Sequence, residues 1–168
     1  MVIGVVSTLV LTSCSRGPDG GQSLSEAAAG GESIPGVASA EVLSQTVSTA
    51  PFERAQRADI RLTLEPGWAV DNAPELLRWA LATAWSLHDA PIDYGLIMSI
   101  GSPDGRLPVD WEAAAAETGI PDGWDGDTSY DDHGFVAFRS EDIAAVVQEP
   151  WPTDPPPVPA DAFAVAWN

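Results

Sequence analysis

The densest group of side chains able to do chemistry lies in residues 122–133, which read DGWDGDTSYDDH. Three of its aspartates occupy the first, third and seventh positions of an EF-hand-like spacing: Asp125, Asp127 and Asp131. Carboxylates at these positions suit Ca²⁺, but Tyr130 stands where such a loop needs glycine and Val136 where it needs a bidentate glutamate. The segment has two interpretations, a low-affinity Ca²⁺ site and a solvated acidic loop, and the incomplete spacing favours the loop.

The end of the same segment combines carboxylates with an imidazole: Asp131, Asp132 and His133. Because histidine exchanges protons near neutral pH, this triplet is the catalytic candidate of the sequence, as a general acid and base or as metal ligands. A hydrolase that uses acidic residues of 122–133 is accordingly one alternative function. Against it, three adjacent side chains seldom converge on one atom, and the sequence identifies no distant partner for them.

Aromatic residues near this segment suggest a third kind of site. Trp111, Trp124 and Tyr130 stand near carboxylates, a composition that stacks sugar rings and accepts hydrogen bonds from their hydroxyls. The competing interpretation, which we favour, is that these rings fill the core or cover an edge of a sheet. Trp79 and Trp85 lie in an apolar helical pattern and are expected in the core as well, with an apolar patch for a protein partner as the alternative.

The composition excludes some classes of function. Among 168 residues, 25 Asp and Glu oppose 7 basic residues, all of them arginine, and the formal net charge is −18. A surface this acidic repels nucleic acid. The sequence also lacks GxSxG, HExxH, CxxC, GxGxxG and Walker A motifs, so we expect a binding module rather than an enzyme. Because 45% of the residues are hydrophobic, part of the chain must bury a core.

The single cysteine, Cys14, follows an uncharged apolar start. Residues 1–13 are fewer than the roughly 20 apolar residues that cross a bilayer, and this length favours the core of a signal peptide. Their end, Leu11-Thr12-Ser13-Cys14, resembles the lipobox of bacterial lipoprotein precursors. The resemblance implies that residues 1–13 are removed and that Cys14 carries lipid, which holds the chain at the outer face of the cytoplasmic membrane.

One feature departs from the lipoprotein pattern. No Lys or Arg precedes the apolar run, and the first basic residue is Arg16, so we expect the natural start codon to lie upstream of Met1. The alternative to lipidation is a buried N-terminal helix with an ordinary core cysteine, but the loose composition of residues 15–36 would leave such a helix isolated. The function that follows is a lipid-anchored extracytoplasmic domain that binds an envelope protein or a glycan, with Ca²⁺ as the single candidate cofactor.

The boundary of the globular domain is expected near residue 57. Residues 14–52 are rich in Ser, Ala, Gly and Glu and contain one aromatic residue, Phe52, which is typical of a flexible linker after the lipidated cysteine. A helix over 41–47 is the one element weakly indicated there. All seven tryptophans lie at or after Trp68, so we expect one α+β domain over 57–168.

Hydrophobic periodicity predicts the order of elements in that domain. The expected strands are 59–65, 92–100, 135–138 and 163–167, and the expected helices begin near residues 74, 111 and 141. The order β-α-β, insertion, β-α-β predicts a split βαβ or ferredoxin-like fold, an antiparallel sheet with helices on one face. Residues 101–132 are the expected insertion.

Overall fold

The structure, a computed structural model, describes residues 20–89, 91–103, 105, 109–120 and 135–166. Its elements in chain order are α1 Leu24–Glu32, β1 Val37–Ala50, β2 Glu53–Leu64, β3 Trp68–Val70, α2 Ala73–Trp85, β4 Gly95–Gly101, α3 Trp111–Thr118, β5 Phe135–Arg139, α4 Ser140–Val147 and β6 Phe163–Val165. Within these residues, no helix combines the length and apolar character needed to cross a bilayer. The predicted α+β class is confirmed.

The main sheet has the strand order β1-β2-β4-β5. β1 and β2 form a long antiparallel hairpin, β4 lies parallel to β2, and β5 lies antiparallel to β4. β3 and β6 form a separate two-stranded antiparallel ribbon. The connectivity therefore differs from the antiparallel, ferredoxin-like arrangement expected from the sequence. A period of two shows which face of a strand is buried, but it carries no information on which strand lies beside it.

The central unit of the sheet is β2, α2 and β4. Alternate residues of β2 are at most 1% exposed, as the pattern predicts: Ile60, Leu62 and Leu64. Asn72 caps α2 by accepting the Glu75 N–H, and Pro74 occupies the first turn, where its missing N–H costs nothing. α2 joins the same core and returns the chain to the start of β4, which a parallel pair requires.

Residues 20–50 are folded, so the flexible linker expected over 14–52 is wrong for this part of the chain. Ser23 caps α1 by accepting the Glu26 N–H, and the Glu26 carboxylate accepts the Ser23 N–H and hydroxyl, which lowers the pKa of Glu26. β1 pairs with β2 from Val37 to Ala50. The helix expected over 41–47 is also wrong, because these residues belong to β1.

The small residues that suggested a linker are the ones that let α1 approach the sheet. Gly31 is buried, and a Cβ at this position would lie 2.7 Å from Ala40 Cβ and 3.4 Å from both Leu62 and Trp79. At Gly30, in contrast, a Cβ would meet no atom within 4 Å. Close packing between α1 and β1 thus requires a residue without a side chain at position 31 alone.

The later helices begin and end close to the expected positions. Asp110 caps α3 by accepting a backbone N–H of the first turn, and Gly119 ends it in the left-handed conformation. α4 begins one residue earlier than expected, since Ser140 is its first residue and Arg139 takes the cap position. Trp111, at the start of α3, is 2% exposed and belongs to the core, as the favoured interpretation states.

We expect the neighbouring glycines of α1 to respond oppositely to alanine. Gly31→Ala should lower the free energy of unfolding by about 1–3 kcal/mol, because its Cβ overlaps Ala40. Gly30→Ala is the matched control and should raise it by about 0.5–1 kcal/mol, since alanine is preferred over glycine in a helix. Urea unfolding of both full-length variants measures the difference. Equal effects would show that α1 does not pack on the sheet.

Candidate functional site

The chemical candidates of the sequence lie outside the described residues. They are Cys14 for lipidation, Asp125, Asp127 and Asp131 for Ca²⁺, and Asp131, Asp132 and His133 for catalysis. Lipidation, the Ca²⁺ site and the hydrolase therefore stay predictions. In the part of the chain that the structure describes, no group of three or more His, Cys, Asp or Glu side chains is placed to hold a metal ion.

The described residues form a cleft at one end of the main sheet. α2 runs opposite to the parallel strands β2 and β4, so the end of α2, the start of β4 and the start of α4 lie at the same end as the β1–β2 turn. We call this the hairpin end. The cleft has a volume of about 300 Å³ and is lined by Trp85, Pro91, Ile92, Asp93, Ser140, Glu141, Ala144 and Trp151.

The two tryptophans of the cleft are held by hydrogen bonds to the backbone. Trp85 Nε1 donates to Glu149 O at 2.9 Å, and Trp151 Nε1 donates to Leu87 O at 3.0 Å. The Thr153 N–H donates in turn to Trp85 O. These bonds tie the segment after α4 to the end of α2. They also use the one polar atom of each indole, so the rings offer a ligand their apolar surface and π electrons.

The polar side chains of the cleft are hydrogen-bond acceptors. Asp93 Oδ1 accepts the Gln56 N–H, which leaves Oδ2 to accept from other groups. Glu141 is 71% exposed, and its Oε1 lies 3.6 Å from Arg139 Nη1, which is long for a strong ion pair. Ser140 Oγ donates to Asp93 O at 3.0 Å. The lining therefore presents two carboxylates and two indole rings to a ligand. Both indole N–H groups and the Ser140 hydroxyl already donate hydrogen bonds to backbone carbonyls.

The start of α4 carries charges of both signs, from Arg139, Glu141 and Asp142. Burial raises the pKa of Asp142, which follows Glu141, and the hydrogen bond from the Arg139 N–H opposes this rise. The nearby charge of Glu141 raises the same pKa further. The positive charge of Arg139 lowers the same pKa, so the rise is due first to burial.

A second cavity lies between the start of α2 and α3. Its volume is about 240 Å³, and its acidic side chains are Asp71, Asp110 and Glu117. Asp110 is occupied in capping α3, where its Oδ1 accepts the Ala113 N–H at 2.9 Å. No aromatic residue lines this cavity. The cleft with the two tryptophans is for these reasons the stronger candidate for a ligand site.

The open face of the sheet carries a cluster of charged side chains that form ion pairs with one another. Asp59 is 4% exposed, and Arg57 binds it through two contacts, Nε to Oδ1 at 2.7 Å and Nη2 to Oδ2 at 3.1 Å. Arg57 Nη2 also donates to Gln45 Oε1 on β1, and Arg61 Nη2 lies 3.9 Å from Asp59 Oδ2. Because its carboxylate and guanidinium groups are paired, this cluster joins strands rather than awaiting a ligand.

Sequence reasoning predicted part of the aromatic core and missed the cleft. Trp79 is 4% exposed, as expected, whereas Trp85, also expected in the core, is half-buried and lines the cleft. The sequence patterns predict no role for Trp151. Its position between Pro150 and Pro152, outside any periodic pattern, is the signal that could have marked it as a site residue. Only the fold brings these two tryptophans together, because they are far apart in the chain.

No protein-family model matches this chain, and comparisons with curated proteins and with solved structures found no significant match.

Removal of Arg57, the charge partner of Asp59, should destabilise the folded chain. Arg57→Met should lower the free energy of unfolding by about 2–3 kcal/mol, because it leaves a buried carboxylate with a weaker partner. Arg61→Met is the control; the Arg61 side chain is 52% exposed, and we expect a loss of about 0–1 kcal/mol. Urea unfolding at neutral pH compares the two variants. Losses of equal size would contradict the buried ion pair.

Proposed function

We propose that this chain is a lipid-anchored binding protein of the cell envelope, whose ligand carries an alkylated ammonium group. The observation that carries the ligand class is the cleft that contains Trp85, Trp151, Asp93 and Glu141. Indole faces attract organic cations through their π electrons, and carboxylates add an ion pair. Backbone hydrogen bonds hold both indoles before any ligand arrives, which reduces the entropy lost on binding.

A neutral sugar fits this cleft less well than a cation. Sugar hydroxyls both donate and accept hydrogen bonds, so a sugar site needs N–H or O–H donors beside its carboxylates. In the cleft, the two indole N–H groups and the Ser140 hydroxyl already donate to backbone carbonyls. An alkylated ammonium group needs acceptors, apolar contact and π faces, and the lining supplies these.

The net charge of the chain favours the same class of ligand. A formal charge of −18 attracts cations towards the surface and raises their rate of encounter. Glu141 is largely exposed, so its attraction for a ligand is screened by salt. The apolar contact with the tryptophans is screened much less. The affinity of the cleft for an ammonium group should therefore fall only in part as salt is added.

The lipid anchor is supported by the motif Leu11-Thr12-Ser13-Cys14 at the end of the apolar run. A cysteine at the bilayer surface can take a diacylglycerol, and each buried methylene contributes about 0.8 kcal/mol. Two or more acyl chains give stable attachment, whereas one chain gives only marginal binding. The domain would then act beside the membrane without crossing it.

Choline should bind the full-length protein, and the uncharged dimethylbutanol in which carbon replaces the choline nitrogen should not. The two compounds share their shape, so the difference isolates the charge that the cleft is proposed to recognise. Isothermal titration calorimetry measures both, and choline affinity should fall as NaCl is added. Equal binding of the two compounds, or absence of choline binding, would overturn the proposed ligand class.

A pair of matched variants assigns this binding to the cleft. Glu141→Gln should weaken choline binding up to about fivefold, because it removes one exposed carboxylate from the lining. Glu112→Gln removes the same charge from the first turn of α3, outside the cleft, and should leave the affinity unchanged. If both variants weaken binding equally, the effect is one of net charge and the cleft is not the site.

Cys14→Ser should abolish membrane attachment, because serine has no thiol to take the lipid. In a bacterial host fed labelled palmitate, we expect the parent chain to be labelled and to sediment with membranes, and the variant to do neither. Ser13→Ala, which keeps a small residue before the cysteine, should retain the label. Palmitate in Cys14→Ser, or its absence from the parent chain, would contradict the proposed anchor.

A further inference from the structure

The β1–β2 hairpin extends past the rest of the sheet. β4 begins to pair with β2 at Arg57, opposite Gly95, whereas β1 and β2 remain paired as far as Ala50 and Glu53. Beyond this point the two strands pair only with each other among the described strands. At roughly 3.3 Å per residue, the turn of the hairpin stands about 13–17 Å past the start of β4.

The tip of this hairpin presents a phenyl ring to solvent. Phe52 is 104% exposed and has a positive φ of 76°. The left-handed conformation costs a bulky residue about 1–2 kcal/mol, and glycine or asparagine would occupy the position with less strain. The ring gains nothing from packing within the domain. Strain together with full exposure indicates a ring that contacts something outside the chain.

The overhanging part of the hairpin differs in charge from the rest of the molecule. Residues 46–56 contain one arginine and one glutamate, Arg54 and Glu53, and so carry no formal net charge, in a chain whose formal net charge is −18. Arg57 is engaged with Asp59, but Arg54 is exposed and pairs with no described residue. The hairpin tip is thus a part of this acidic protein without net negative charge, where the exposed Arg54 lies two residues from an exposed aromatic ring, with Glu53 between them.

The N-terminal segment joins the domain at the same end. The Gln22 N–H donates to Ser86 O at 2.7 Å and the His88 N–H donates to Gln22 O, so the start of the described chain lies beside the end of α2. Cys14 precedes Gly20 by six residues. Six residues span at most about 20–22 Å in any conformation. A lipid on Cys14 would hold the hairpin end within about this distance of the membrane.

We infer that the hairpin tip docks on an anionic bilayer, with Phe52 in the lipid interface and Arg54 at the headgroups. The inference rests on the lipid anchor of the proposed function, which brings the tip within reach of the surface. The tether and the overhang have similar lengths, so the tip can touch the bilayer while the anchor stays inserted. Aromatic and basic side chains are the pair that interfacial segments use.

Screening by salt determines whether the tip can touch an anionic bilayer without strong repulsion of the acidic body. The Debye length is about 8 Å at physiological ionic strength. Because the tip stands about 13–17 Å past the start of β4, carboxylates level with that start or farther along the sheet remain beyond this length when Phe52 reaches the headgroups. Their repulsion from anionic lipid is therefore screened, whereas Arg54 lies within the attractive field.

Spin labels on the lipidated full-length protein in phosphatidylglycerol vesicles test the docking. Thr49→Cys places a label on exposed β1 near the tip, and Val165→Cys places a control label on β6, opposite Trp68, at the far end of the sheet. Lipidated Cys14 has no free thiol to react. We expect the label at Thr49 to be shielded from a water-soluble nickel chelate and accessible to oxygen, and the label at Val165 to remain accessible to the chelate.

Two further variants separate the ring from the charge. In the Thr49→Cys background, Phe52→Ser should lower the equilibrium constant for docking at least about tenfold, the loss expected from one phenyl ring that is no longer buried. Arg54→Gln should weaken docking on phosphatidylglycerol vesicles and have no effect on phosphatidylcholine vesicles. Equal shielding with and without Phe52 would overturn the inference.

Failure of the docking and failure of the anchor give different results. If palmitate labels Cys14 but the probe at Thr49 is as accessible to the chelate as the probe at Val165, the docking is overturned and the anchor stands. If Cys14 takes no palmitate, the anchor fails, and the same probe in the Cys14→Ser chain with vesicles decides the docking alone. Shielding that needs an added protein instead of vesicles would identify a protein partner and overturn membrane docking.

Discussion

The parallel pairing of β2 with β4 determines how the rest of the molecule is arranged. Two neighbouring parallel strands cannot be joined by a tight turn, so the chain must cross back over the sheet, and α2 makes this crossing. The helix consequently ends where both strands begin. This one constraint brings the end of α2, the start of β4, the start of α4 and the β1–β2 turn to the hairpin end of the sheet.

The features that point to function share this end because of that arrangement. Trp85 ends α2, Asp93 precedes β4, and Glu141 lies in the first turn of α4, so the crossover assembles the cleft from elements that are distant in the chain. Gln22, bound to the backbone of Ser86, brings the N-terminal segment to the same place. A lipid tether at Cys14 would therefore orient the cleft and the hairpin tip towards the membrane.

Some parts of the fold were predictable because their signals are local. The strand over 59–65 and the helices that begin near residues 74 and 111 each follow from a few consecutive residues. The structure confirms them through the buried alternation in β2 and the caps Asn72 and Asp110. The error over residues 20–50 has a local cause as well. Ser, Ala and Gly are typical of linkers, but in α1 the same small residues allow close contact with the sheet at Gly31. Composition alone does not separate these two uses.

The sequence by itself determined the α+β class, most helix ends, the buried face of β2 and the net charge, since each depends on periodicity, capping or a count of residue types. The lipobox-like motif is likewise recognised from consecutive residues alone. The tertiary structure alone decided the strand order, the folding of α1 and β1 onto the core, and the meeting of Trp85 with Trp151. These depend on which surfaces pack together across long separations in the chain, and a single sequence holds no short-range signal for that choice.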